Sequence, residues 1–308
     1  MNNGYGDAEL ADLPHFSQIN YLSLGFNPIL DAASVNPILE RHIADGDRIT
    51  IDLQETPVDH ATLGDVRFEA LDGLHIGYLT DTGGNPAPLA DTNFLPVNNS
   101  TLRYLDISGP HAPDMQGVRD LNNLEELSIL QYQGTDLTAI STVDTLVVLN
   151  VDDSDITSLD GLNAPDLRNL SVRDSESLED IGQLAGGGMQ DGLETLEVER
   201  TGLADDDLPV IWDLQNLTFL QLSQLRDPLN ENPTIMDVTG ISQATSLEFV
   251  SLADNPDLGQ GLSDLAALPR LVRLNLESTG FIATEIQAQQ WSSTVEEITM
   301  PDGSFFIP

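Results

Sequence analysis

The sequence contains no cysteine and no lysine, and each absence excludes a class of site. Without cysteine the chain can form neither disulfide bridges nor zinc–thiolate sites, and it has no thiol nucleophile. Without lysine its 11 basic residues are all arginines, against 51 acidic residues, and the formal net charge is −40. Because phosphate groups are bound by basic patches, this balance argues against a nucleic-acid partner and against docking on anionic lipid.

Long apolar runs are also missing, and aromatic residues make up only 5% of the chain. No run approaches the ~18 residues that a membrane-spanning helix needs, so we expect no membrane insertion. The first twenty residues have neither a positive n-region nor an apolar h-region, so we expect a mature form or a fragment. We predict an extracellular or cell-surface location, with the cytoplasm of a halophile as the alternative.

The acidic, lysine-free composition resembles that of proteins from halophiles and of secreted proteins from marine bacteria. A dense carboxylate surface stays hydrated, while salt screens its self-repulsion. The alternative interpretation is a solvated surface without a specific ligand. We predict no cofactor beyond Ca²⁺ held non-specifically by the acidic surface, because residues 152–155 lack the glycine and the distal glutamate of a calcium loop.

The chain is rich in regularly spaced leucines, and residues 146–162 show the repeating unit. Leu146, Leu149 and Val151 follow an L-x-x-L-x-L pattern, which predicts a short strand with one buried face. Steps of three at Leu159 and Leu162 then predict a tight helical return. Twelve such units occur in register, with their fourth pattern position at residues 22, 51, 74, 105, 127, 149, 170, 196, 220, 250, 274 and 298.

This pattern resembles the leucine-rich repeat family, most closely its bacterial type with short returns. The resemblance implies an α/β right-handed solenoid of about 12 repeats, with a parallel sheet on the concave face and helices or 3₁₀ turns on the convex face. The predicted organisation is an N-terminal cap at residues 1–18, the solenoid at 19–300 and a C-terminal tail at 301–308. The family's turn asparagine is present at Asn27 and Asn255, while Ser or Thr replaces it in several other repeats.

Three columns of side chains are expected to point outward from the predicted concave sheet. The central column places Asp52, His75 and Asp106 on successive strands. A histidine flanked by acids could activate a hydroxyl or bind a metal ion, but an open sheet offers no pocket or oxyanion donor. We therefore expect no catalytic residues, and we keep these three as weak metal candidates.

Two further columns supply the candidate partner-binding residues. One carries Asp152, Arg173 and Glu199, and the neighbouring positions Asp153 and Glu197 make this part of the face acidic. The other carries the aromatic candidates Tyr104, Phe219 and Phe249. Phe219 and Phe249 are expected to be neighbours, and exposed aromatic pairs are typical of binding hot spots. The alternative is that the loop at residues 226–233 folds back over them.

Together these features predict a non-enzymatic, monomeric module for protein–protein interaction or adhesion. Its partner would carry a basic patch and would bind the acidic concave face. The alternative is a carbohydrate-binding or enzyme-associated module that uses the Phe219/Phe249 surface.

Overall fold

The computed structural model describes residues 6–10, 19–29, 31–58, 60–77, 89, 91–96, 99, 101–109, 115–186, 188–223 and 235–308. The chain divides into two compact units. The first comprises residues 1–134 and 138–146, and the second comprises residues 135–137 and 147–308. The sequence also predicts a long loop at residues 81–99, which are rich in Gly, Pro, Asp and Asn, and most of them lie outside the described residues. The predicted loop at residues 226–233 lies wholly outside them, as do Leu13 and Phe16 of the predicted cap.

The first unit is built on five parallel strands that follow one another in chain order. They are β1 (Tyr21–Ser23), β2 (Ile49–Asp52), β3 (Leu71–Gly77), β4 (Tyr104–Ser108) and β5 (Glu126–Leu130). Its α-helices are α1 (Asp7–Leu10) and α2 (Asn36–Asp45). Five 3₁₀ helices complete the described returns, at Ala32–Val35, His60–Asp65, Phe68–Ala70, Gln116–Asp120 and Thr138–Ile140.

The second unit repeats this arrangement with seven parallel strands and a short antiparallel strand at the end. They are β6 (Val148–Asp152), β7 (Asn169–Arg173), β8 (Thr195–Glu199), β9 (Phe219–Ser223), β10 (Phe249–Ser251), β11 (Arg273–Asn275), β12 (Glu297–Thr299) and β13 (Phe305–Phe306). Its α-helices are α3 (Met189–Gly192), α4 (Pro209–Trp212), α5 (Leu262–Ala266) and α6 (Ala283–Ala288). Its 3₁₀ helices are Gly182–Ala185, Asp205–Asp207 and Ile241–Gln243.

The leucine pattern forms the core of both units, as its spacing predicts. Within the second unit Leu149, Leu170, Leu196 and Leu220 are register partners on successive strands, and each is at most 1% exposed. The strands alternate buried and partly exposed residues, because successive side chains of a strand point to opposite faces. Each repeat therefore buries its apolar row against the next repeat and leaves its polar row in solvent.

Buried polar side chains close the turn after each of several strands. Asn27 donates from Nδ2 to the Leu24 carbonyl at 2.9 Å, and the Thr56 and Thr279 hydroxyls bond carbonyls three residues earlier. Asn255 also donates to the Leu222 carbonyl of the preceding repeat at 2.8 Å. The turn position thus keeps a hydrogen-bonding side chain in these repeats although the residue type changes.

The sequence predicts Asn36 as the N-cap of a helix whose inward stripe is Ile38, Leu39 and Ile43, and helix α2 differs from this at two points. Asn36 is its first helical residue rather than its cap, and its side chain bonds the backbone of Asp65 and Arg67 in the next repeat. The inward face carries His42, which is 1% exposed, where the periodicity predicts Ile43, which is 40% exposed. Ile38 and Leu39 are buried as expected, so the buried stripe is Ile38, Leu39 and His42, and Ile43 lies outside it.

The C-terminal tail adds a strand to the sheet of the second unit. Ile298 and Thr299 of β12 pair in antiparallel register with Phe306 and Phe305 of β13. The sequence predicts a final helix over about residues 283–291, whereas α6 ends at Ala288 and the Trp291 indole donates to the Ile286 carbonyl. Because β13 pairs with β12, it covers the backbone edge of that strand. The Phe305 side chain nevertheless remains 69% exposed.

Candidate partner-binding surface

The strand register brings the predicted columns together within each unit. In the first unit Asp52, His75 and Asp106 are successive register partners on β2, β3 and β4. In the second unit Asp152, Arg173 and Glu199 are successive partners on β6, β7 and β8. The spacing of the repeats in the sequence therefore predicts these neighbours correctly.

Asp106 is the centre of a hydrogen-bonded cluster on the first unit. Its Oδ2 lies 3.3 Å from Nδ1 of His75 and accepts a 3.0 Å hydrogen bond from Nε2 of Gln54. The Ser108 hydroxyl donates to its other oxygen at 2.5 Å. The hydrogen bond from His75 to Asp106 raises the pKa of His75, and it outweighs the opposite effect of burial.

Asp52 is held by a separate set of donors and makes no hydrogen bond to His75. It accepts from the Ser23 hydroxyl at 2.7 Å, from the Tyr21 hydroxyl at 3.2 Å and from the Gln54 backbone amide at 3.0 Å. Burial, followed by the charge of Asp52, raises the pKa of Tyr21. The sequence pattern misses the role of Gln54, which links the two carboxylates from the turn after β2.

The described contacts of this cluster bear on the hypotheses of metal binding and of a hydroxyl activated by His75. Among the residues the structure describes, no group of three His, Cys, Asp or Glu side chains is placed to hold a metal ion. The Ser23 and Ser108 hydroxyls donate to carboxylates rather than to His75, so neither is activated by the histidine. The geometry gives no support to Asp52, His75 and Asp106 as metal ligands.

Arg173 is the centre of the charged cluster on the second unit. Its guanidinium donates to Glu197, and its Nε lies 3.5 Å from Oε1 of Glu199. Arg200 pairs with Asp174 and lies 3.5 Å from the other oxygen of Glu199. The carboxyl side chain of Glu199 is only 15% exposed, so these contacts are better shielded from water than ordinary surface ion pairs.

Asp152 lies at the end of β6 in this cluster, and Asp153 is the next residue in the chain. Burial raises the pKa of Asp152 although Arg173 is nearby, and its Oδ1 has no hydrogen-bond partner among the described residues. Asp153 is exposed and follows the end of β6 with a left-handed φ of 49°, as Asp174 and Arg200 do after β7 and β8 with φ of 52° and 49°. It belongs to the turn, and its amide donates to the Arg173 carbonyl at 2.9 Å.

Phe219 and Phe249 form the aromatic part of the surface. They are register partners on β9 and β10, and their rings stack with centroids 4.5 Å apart and planes 6° from parallel. Both side chains are partly exposed. The third aromatic candidate, Tyr104, lies on β4 of the first unit, where the Arg103 guanidinium carbon is 5.2 Å from its ring centroid. The expected cover by residues 226–233 falls outside the described residues.

No protein-family model matches the sequence, and comparison with curated proteins also gives no match. Comparison with solved structures does give matches. An internalin, inlF, from Listeria monocytogenes aligns with 92% of this chain and 81% of its own, at 17% identity and a TM-score of 0.63. The chain has the leucine-rich repeat fold. The prediction made from the repeat spacing is thus confirmed at the level of fold.

Two other solved structures share this fold and were determined as complexes. The leucine-rich repeat part of FLRT2, in an octameric complex with Latrophilin 3 and Unc5D, aligns at 16% identity and a TM-score of 0.53, over 93% of this chain and 76% of its own. TLR13 in complex with ssRNA13 aligns at 16% identity and a TM-score of 0.53, over 92% of this chain. This chain covers 46% of the TLR13 chain.

The described part of the chain contains no helix that is long and apolar enough to cross a membrane.

Proposed function

We propose that this protein is a non-enzymatic binding module whose partner is another protein, bound on the outward face of the strands. The observation that carries the proposal is the surface formed by the stacked Phe219/Phe249 pair and the neighbouring carboxylates of Glu197 and Glu199. Aromatic anchors bordered by charged groups supply binding energy and orientation in protein interfaces. The FLRT2 repeats, which share the fold, are found in a protein complex.

The charge of the chain indicates the chemistry of that partner. A protein with a formal net charge of −40 attracts basic surfaces and repels acidic ones over about one Debye length. We propose that the partner presents a basic patch and that the module acts at an extracellular or cell-surface location. An RNA partner of the kind that TLR13 binds is disfavoured, because phosphate binding needs a basic surface.

The test uses a binding partner identified by affinity capture and then measured with purified components. Phe249→Ala and Glu197→Arg should each weaken binding at least about tenfold, the loss expected when an interface hot spot is removed. Matched controls are Phe305→Ala, an exposed phenylalanine on β13, and Glu285→Arg on helix α6. A partner whose affinity is unchanged by both test variants would contradict the proposal.

The carbohydrate-binding alternative gives a different pattern with the same variants. Sugars recognised by the Phe219/Phe249 surface would bind on a glycan array, would be lost on Phe249→Ala and would survive Glu197→Arg. That outcome would replace the protein partner with a carbohydrate.

A further inference from the structure

The stacked pair leaves the outer face of Phe219 open toward β8. The ring centroids are 4.5 Å apart, close to the ~4.8 Å spacing of neighbouring strands, so the stack follows the succession of strands. The next register position beyond Phe219 is Thr195. Because a threonine side chain is much shorter than a phenylalanine ring, β8 does not cover this face of Phe219.

A carboxylate acceptor lies on the same strand and the same face as Thr195. Glu197 is two residues farther along β8, and side chains two residues apart on a strand share a face. Its Oε2 accepts hydrogen bonds from Arg173 and, at 3.4 Å, from the Ser171 hydroxyl. Its Oε1 has no donor among the described residues, and the side chain is 22% exposed. Glu197 can therefore accept one more hydrogen bond from solvent or from a partner.

The surrounding charges favour a cation at this position. On strands β6 to β8 and the single residue that follows each of them, carboxylates exceed guanidinium groups by five to two. The five acids are Asp152, Asp153, Asp174, Glu197 and Glu199, and the two bases are Arg173 and Arg200. These residues therefore carry three more acidic than basic groups, and an incoming cation would offset part of that excess.

We propose that the outer face of Phe219 and the Glu197 carboxylate together form a binding site for an arginine side chain of the partner protein. This inference rests on the proposed function, since it assigns one contact of that interface. A guanidinium is planar, so it stacks on an aromatic face and presents N–H donors at its edge to a carboxylate. Arginine would continue the aromatic stack over Thr195, whereas a lysine ammonium has no flat face to stack.

The experiment is ligand-observed saturation-transfer NMR on the purified chain at about 0.15 M salt, where long-range attraction is screened. The probe is Nα-acetyl-arginine amide. The matched probes are the lysine analogue, which keeps the charge, and the citrulline analogue, which keeps the shape without the charge. Saturation of the aromatic protons should transfer to the arginine δ-methylene, more weakly to lysine, and least to citrulline.

Two variants locate the site, and two controls match them. Phe219→Leu should weaken arginine binding about two- to fivefold, the range expected for one exposed cation–π contact. Glu197→Gln should weaken it at least as much, because it removes the charge of the acceptor and keeps its shape. Phe305→Leu and Glu285→Gln remove the same groups from β13 and α6 and should leave binding unchanged.

The outcomes separate this inference from the proposed function. Equal transfer to arginine and citrulline, equal transfer to arginine and lysine, or wild-type binding by both test variants would overturn the arginine site. In that case a protein partner lost on Phe249→Ala would still support the proposed function. Arginine binding lost on Phe219→Leu and on Glu197→Gln, and kept by both controls, would establish the site.

Discussion

Replacing Asn255 should destabilise the second unit in a graded way that depends on which hydrogen bonds survive. The side chain is fully buried, and its Nδ2 donates to the carbonyls of Leu222 and Leu252 at 2.8 Å and of Ala253 at 3.3 Å. Leu222 belongs to the preceding repeat, so the amide connects two repeats as well as closing its own turn. Asn255→Ala removes these bonds and leaves buried carbonyls without a donor.

The expected losses follow from the number of carbonyls affected. A buried polar group left unpaired costs about 1–3 kcal/mol, so Asn255→Ala should lower the free energy of unfolding by about 2–4 kcal/mol. Asn255→Thr should keep the bond within the turn, as Thr279 does to the Leu276 carbonyl at 2.7 Å, and lose the bond between repeats. The net cost of Asn255→Thr should be about 1 kcal/mol, because removal of Oδ1 partly offsets the lost bond between repeats. This oxygen is buried without a hydrogen-bond partner among the described residues.

Urea unfolding followed by circular dichroism measures these differences. Asn169→Ala is the matched control, because this asparagine on β7 is exposed, and the change should stay within about 0.5 kcal/mol. The reasoning fails if Asn255→Ala costs no more than the control. It also fails if Asn255→Thr is as damaging as Asn255→Ala, since the bond within the turn would then contribute nothing.

Three further predictions concern charge and the aromatic pair. The pKa of His75 is raised above its ordinary value of 6.5 by Asp106, so the stability it contributes is present below pH ~6.5 and is lost as pH rises through the higher folded-state pKa. The melting temperature of the wild type should therefore fall relative to His75→Gln over that range, and a pH-independent difference would contradict this. Melting temperature should rise with sodium chloride from low to molar concentration because salt screens a net charge of −40, and a flat or falling curve would exclude the halophilic interpretation. A double-mutant cycle of Phe219→Ala and Phe249→Ala should give a coupling of about 0.5–1.5 kcal/mol in unfolding free energy, and additive effects would show that the stack contributes no energy of its own.

The neighbours on the outward face follow from the sequence because the fold is repetitive. Once Leu149, Leu170 and Leu196 are aligned as equivalent positions, the residues three places after each of them are aligned as well, and so are the residues one place before Leu220 and Val250. This alignment predicts that Asp152, Arg173 and Glu199 are neighbours, and that Phe219 lies beside Phe249. Period-two alternation then assigns each of them to the outward face.

The bonds within the clusters do not follow from the sequence. Alignment places His75 between Asp52 and Asp106, but side-chain rotamers direct it to Asp106 and leave Asp52 to Ser23 and Tyr21. Gln54 contacts Asp106 across 52 residues of sequence because the turn after β2 points it across β3. Aligning equivalent positions of the repeats predicts contacts between those positions, but it does not predict contacts between different positions of different repeats.

The sequence by itself determines the repeat, the core and the composition of the outward face, because regular leucine spacing allows few ways of burying apolar side chains. Its charge also indicates which classes of partner the surface favours. The tertiary structure decides how the outward side chains combine: the two phenylalanine rings stack, Glu197 keeps one oxygen without a donor among the described residues, and Asp153 lies in the turn after β6. These features depend on backbone conformation and on rotamers that neighbouring repeats select, which spacing alone does not specify.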